Sequence, residues 1–142
     1  MSRLELVEAI KLHQKFILRQ AGGRRLRLRD ANLSRIKMSR ISLEDAALPN
    51  ANFIQATIRG VTFNYCDLFG ANFAEANLEG SRFVRADLRG SNLARAKLGG
   101  ADLSGADLRA GNVLVMDGGG ERNISRSANL SNADLRNSML RG

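Results

Sequence analysis

The sequence predicts an all-β solenoid of square cross-section, about five coils long, preceded by an α-helical cap. Three observations carry that reading. From Leu28 through Val113 every fifth residue is apolar, without a miss. Asn32, Asn52, Asn72, Asn92 and Asn112 recur every twenty residues. The segment before the repeat, alone in the chain, carries the helical period near 3.6 instead of five.

A period of five fits neither a helix nor a strand, so each quintet must contain a change of direction. Within "ANF" at 71–73, small Ala71 and large Phe73 flank polar Asn72, and alternate side chains on opposite faces define an extended strand. The same small–polar–large order recurs at Ala51-Asn52-Phe53 and Ala86-Asp87-Leu88. The other two residues of each quintet, often ending in glycine (Gly60, Gly70, Gly80, Gly90, Gly100), turn the chain. An interval of twenty means four sides, with like residues stacked between coils. The Asn column is expected to form a ladder of the kind that stabilises stacked strands. Phe53 and Phe73 fall on one side, and Phe63 and Phe83 on the opposite one.

The quintets "ANLEG", "ADLRG", "ADLSG" and "ADLRA" resemble the A(D/N)LXX pattern of the pentapeptide-repeat family, over residues 26–115 and again over 128–142. The resemblance implies a right-handed quadrilateral parallel β-helix with Leu33, Phe53, Phe73 and Leu93 pointing inward. Leu26, Ile36 and Ile41 are bulkier than the Ala of the pattern. The family's best-known activity is protection of DNA gyrase by rods that resemble B-form DNA in width and negative charge. That DNA-mimic, topoisomerase-interacting role is an alternative that the charge here disfavours, and the family's C-terminal dimerisation helix is missing.

The elements follow in chain order. Ser2 and Glu5 have the spacing of a capping box. Leu6, Val7, Ile10, Ile17 and Leu18 share a helical face, and Gly22-Gly23 is a stop signal, so a helix is expected over 3–20. Residues 1–25 thus form a capping helix and basic turn, since solenoid ends need covers. Residues 26–115 form the repeats. "LVMDGGGERNISRS" breaks the beat, and 116–127 is expected to project as a loop. Residues 128–142 resume it with Leu130, Leu135 and Leu140, completing a fifth coil that Val113 opens. With no cover following, those three leucines mark an edge expected to pair with a second copy.

The chain has 142 residues, one cysteine and a net charge of +8. One cysteine excludes an internal disulfide, and the first residues hold acids in place of a long apolar run, so a cytoplasmic protein is expected. Residues 1–40 hold eleven Lys/Arg against Glu5, Glu8 and Asp30, and the rest of the chain is neutral. His13, the single histidine, is expected on the helix flank, packed or half-exposed, and Cys66 in an inward small-residue slot. No nucleophile–base pair or metal-ligand spacing exists, so no enzyme activity, cofactor or metal is expected. Asp67, Asp87 and Asp107 form a column that Arg89 and Arg109 turn into a salt-bridged face.

The expectation is a rigid, non-enzymatic scaffold that binds another protein. Its candidate contact residues are Ile54, Leu114, Val115, Met116, Asp117, Glu121 and Arg122, with Ile54, Ala74, Ala94 and Leu114 forming one apolar outer column. A second expectation is binding of an anionic surface, nucleic acid or membrane, through Arg24, Arg25, Arg27, Arg29, Arg35, Lys37 and Arg40. No aromatic residues interleave these arginines, so base stacking is not expected.

Overall fold

A computed structural model describes residues 1–142. From Arg27 onward the chain winds into four flat faces, each a ladder of parallel contacts between residues twenty apart up to Asp107 and thirty-seven apart in the last rungs, at Asn129, Asp134 and Met139. The first face stacks Arg27, Ala47, Asp67, Asp87 and Asp107. The second stacks Asn32, Asn52, Asn72, Asn92 and Asn129. The third runs Lys37, Thr57, Asn77, Lys97 and Asp134, and contains strands β1 (Lys37–Ser39) and β2 (Thr57–Arg59). The fourth stacks Ser42, Thr62, Arg82, Asp102 and Met139.

One quintet shows how the backbone is satisfied. The N–H of Ala51 donates to Leu48 O across the corner, that of Asn52 to Ala31 O in the preceding coil, and that of Phe53 to Asn72 O in the next. Gln55 N–H also donates to the next coil, at Ala74 O. Ile54 N–H, which points at neither coil, donates 3.0 Å to Oδ1 of Asn52. All five donors are used, as a buried backbone requires. The Asn column therefore differs from the expected amide ladder: each side chain closes a local turn two residues on, as at Asn72 to Ala74 and Asn92 to Ala94. A carboxylate does this equally well, as at Asp67 and Asp102, which explains why Asp and Asn interchange in the slot. Where the slot holds Arg82, which cannot accept, Asn64 of the coil below takes the Val84 N–H.

Every fifth residue from Asp30 to Gly105 has φ between 54° and 67°, the left-handed conformation that lets the second residue of a corner reverse the chain. Three corners lack the closing hydrogen bond, those entering Ala31, Ile41 and Val61, while those entering Ser81 and Ala101 have it. Ser81 compensates one coil up: its hydroxyl donates to Ile58 O (2.8 Å) and accepts from Val61 N–H (3.2 Å).

The core is a column of inward residues, with Phe53, Phe63, Phe73 and Phe83 fully buried. Phe53 stacks on Phe73 at 4.7 Å and Phe63 on Phe83 at 5.1 Å, and the two stacks meet edge-to-face at about 6 Å.

Helix α1 (Arg3–Ile17) begins at the expected capping box, with Ser2 Oγ accepting from Glu5 N–H and Glu5 from Ser2 N–H. It ends at Ile17 rather than residue 20, because Arg19 already adopts φ 54°. Its packed face is narrower than expected, since Val7 and Leu18 are exposed. Leu6 and Ile10 meet the core, and His13, expected on the flank, is fully buried.

The break in the beat is not a loop. Strands β3 (Gly111–Asp117) and β4 (Gly120–Arg126) form an antiparallel hairpin closed by Gly118-Gly119. The repeats therefore stop before 111, and the expected boundaries at 115 and 116–127 are corrected accordingly. Asn112 pairs with Ser125 and Val113 with Ile124 inside the hairpin, so neither belongs to the solenoid. Asn129 takes the place expected of Asn112, above Asn92, and the hairpin is an insertion at the corner between the first and second faces.

Candidate functional site

The hairpin is fastened to the rod by residues whose role the sequence does not announce. Val113 is buried against the corner glycines of the two coils beneath it. A Cβ at Gly90 would come within 2.9 Å of Val113 Cγ2 and 3.3 Å of Arg126 O, so the close approach requires glycine there. Gly111 lies flat on Phe69, where any Cβ would meet the ring. Arg89 is 5.5 Å from that ring's centroid, a cation–π distance, and Arg126 Nε donates 3.0 Å to Gly90 O. Phe69, an outward aromatic in a column otherwise made of Arg29, Pro49, Arg89 and Arg109, is the one sign in the sequence that something covers this corner.

The two sides of the hairpin differ. Val113 and Val115 point toward the rod, whereas Leu114 and Met116 are 53% and 70% exposed. Glu121 and Asn123 lie opposite these two in register and are exposed as well. Asp117 and Arg122 form an ion pair at 2.8 Å, and Asp117 Oδ1 also accepts from Gly119 N–H, fixing the tip. Leu114, Val115, Met116, Asp117, Glu121 and Arg122 are thus brought together. Ile54 is not: it lies half-buried on the second face, in a column with Ala74, Ala94 and Ser131. Ile54, Ala74 and Ala94 stack as expected, but the column does not continue to Leu114, because the hairpin leaves the twenty-residue register.

The cations around the first coil do not form one patch. Arg27 and Arg29 belong to the first face, Arg35 to the corner between the second and third, Lys37 to the third, and Arg40 to the corner beyond it. Arg24 and Arg25 lie where α1 meets the rod, with Arg25 Nε donating to Asp45 O. Of the three leucines expected at an open edge, Leu130 and Leu135 pack against the core, and Leu140 is 56% exposed beside exposed Met139.

The groups that most often carry chemistry are structural here. His13 Nδ1 accepts from Leu26 N–H at 3.0 Å, and burial lowers its pKa. Cys66 is buried, its thiol pushed up to about 12 by desolvation. Asp107 and Asp134 are each held down to about 2, chiefly by the side-chain hydrogen bonds of Arg109 and Arg136. No group of three His, Cys, Asp or Glu side chains is arranged to hold a metal ion. No helix is long and apolar enough to cross a membrane.

The family profile of pentapeptide repeats matches residues 27–64, 36–73 and 71–109, with eight copies. Among solved structures, a pentapeptide repeat protein of the Arabidopsis thaliana thylakoid lumen is 31% identical over 60% of this chain and 66% of its own, with a TM-score of 0.54. A pentapeptide repeat protein from the cyanobacterium Cyanothece 51142 is 21% identical over 78% of this chain and 88% of its own, with a TM-score of 0.46. HetL, a pentapeptide repeat protein involved in heterocyst differentiation regulation in Nostoc, is 18% identical over 87% of this chain and 93% of its own, with a TM-score of 0.34. No curated protein matches the chain.

Proposed function

The chain belongs to the pentapeptide-repeat family, and from that premise we propose that it is a non-enzymatic, cytoplasmic scaffold that binds another protein through its hairpin. The observation that supports this is the contrast across β3. One side is anchored by Val113 and Gly111, and the other presents Leu114 and Met116 to solvent from a rigid support. A protein that gained nothing from these side chains would do better with polar ones, since exposed apolar surface on a fixed projection promotes association. Loops and hairpins held by rigid frames are the usual carriers of recognition. Helix α1 acts as the cover of the first coil, through the burial of Leu6 and the bond of Gln14 Nε2 to Ser42 O.

The test is affinity capture with wild type and with Leu114→Asp/Met116→Asp. A protein retained by wild type and lost by the variant, at unchanged melting temperature, supports the reading. Identical captured sets overturn it.

A further inference from the structure

We infer that the third face of the rod is a docking surface for the phosphate backbone of a nucleic-acid duplex. The inference is independent of the hairpin, which lies at the corner between the first and second faces.

Charge is distributed unequally among the faces. The first balances Arg27, Arg29, Arg89 and Arg109 with Asp30, Asp67, Asp87 and Asp107. The fourth balances Arg82, Arg85 and Arg141 with Glu44, Asp45 and Asp102. The third carries Lys37, Arg40, Arg59, Lys97 and Arg136 against Glu79 and Asp134 only. Its two acids are already engaged, Glu79 with Arg59 at 3.2 Å and Asp134 with Arg136 at 2.6 Å. Lys37, Arg40 and Lys97 are exposed and pair with no carboxylate. Parallel rungs about 4.8 Å apart put Lys37 and Lys97 about 14 Å from one another along the rod.

Between these cations the face offers neutral donors. Ser39 and Thr57 are exposed hydroxyls, and with Lys37 and Arg59 they line a shallow groove across β1 and β2. Asn77 accepts from Glu79 N–H through Oδ1, which leaves its Nδ2 hydrogens for a ligand. Cations and neutral donors on a rigid surface are what phosphate oxygens require. Of the large apolar residues of this face, Ile58, Leu78 and Leu98 are fully buried, and half-buried Met38 packs against the core while forming part of the groove floor. No aromatic is present for unpaired bases to stack on, which disfavours single strands. No apolar side chain is exposed to enter a bilayer, which disfavours membranes. A duplex, with its regular rows of phosphates and no demand for apolar contact, is the polyanion that fits.

The experiment is fluorescence anisotropy with a labelled DNA duplex of about 20 base pairs, titrated from about 50 to 200 mM salt. With roughly three phosphates neutralised, affinity should fall about 40-fold over that range. Lys37→Glu/Lys97→Glu should weaken binding at the low-salt end by at least about ten-fold, and Arg27→Glu/Arg29→Glu, the same charge change on the first face, by less than about three-fold. Both pairs must keep the wild-type melting temperature, and Lys37→Gln/Lys97→Gln replaces the charge reversal if they do not. Equal losses from the two faces would overturn the assignment, as would absence of duplex binding at low salt. Tighter binding to the matching single strand, to phosphatidylserine vesicles or to polyglutamate would also overturn it.

Discussion

At the centre of the rod the side chains interlock through ring geometry as well as volume. Phe63 lies flat on Phe83 and edge-on to both Phe53 and Phe73. Removing it empties the place where both stacks meet, and the stacked coils above and below cannot close because their backbone spacing is fixed by hydrogen bonds. Phe63→Ala is therefore expected to cost about 3–5 kcal/mol, read from urea unfolding. His13 acts differently. Its Nδ1 must be unprotonated to accept from Leu26 N–H, and its neighbours are the Leu43 and Glu44 carbonyls, Arg25 and Asp45. Because burial lowers its pKa in the folded protein, its contribution is fully present above the ordinary value of 6.5 and is lost as pH falls below it toward the lowered value. Lowering the pH from 7.5 to 5 should, in wild type, speed hydrogen exchange in α1 in excess of the intrinsic rate, which itself falls over that range. In His13→Leu that excess should vanish.

At the scale of elements, the corner column separates two requirements that glycine meets. Gly80 and Gly90 have nearly the same φ, 67° and 66°, but a Cβ at Gly80 meets nothing while one at Gly90 meets Val113. Gly80→Ala should cost only the left-handed strain, about 1 kcal/mol. Gly90→Ala should in addition loosen the hairpin, and limited trypsin digestion should cut at Arg122 and Arg126 in that variant while sparing Gly80→Ala. The hairpin was the element least legible in the sequence, for two physical reasons. Its first two quintet positions, Asn112 and Val113, happen to keep phase with the repeat. And β3 is apolar on both sides, Val113 and Val115 toward the rod and Leu114 and Met116 away from it, so the alternation that identifies a half-buried strand is absent. Three glycines then read as a loop although two of them make the turn. The repeats, by contrast, were legible because a single environment recurs at each step. Even there periodicity cannot distinguish an amide that closes its own turn from one that bonds to the next coil, and the Asn column does the former. The acidic column paired by Arg89 and Arg109 was readable because partners two residues apart share a face.

At the scale of the molecule, each coil touches only the coils next to it, and stability must vary along the axis. The third coil, whose ladder residues run from Asp67 to Arg82, has neighbours on both sides, and Phe73 and Phe83 are its two members of the phenylalanine stacks. The first coil has a neighbour above and α1 below, joined by Leu6, His13 and Gln14. The fifth, formed by Asp107 before the hairpin and by Asn129, Asp134 and Met139 after it, hydrogen-bonds to one neighbour only. Its inward leucines are correspondingly half-covered, whereas Leu78 and Leu88 are fully buried. Opening should therefore start at the fifth coil and travel toward the helix, with free energies rising from near zero to the global value. Native-state hydrogen exchange should rank the amides of Asn129, Asp134 and Met139 as least protected among the ladder residues, and Asn72, Asn77 and Arg82 as most protected. Uniform protection from Asn32 to Met139 would instead mean that the rod unfolds as one unit, and that its last coil is supported by contacts beyond the hydrogen bonds to Ser91, Ala96 and Ala101. A ligand held by the third face, which spans all five coils from Lys37 to Asp134, should raise protection at the fifth coil most, because only there is local opening close enough to equilibrium to be shifted by binding.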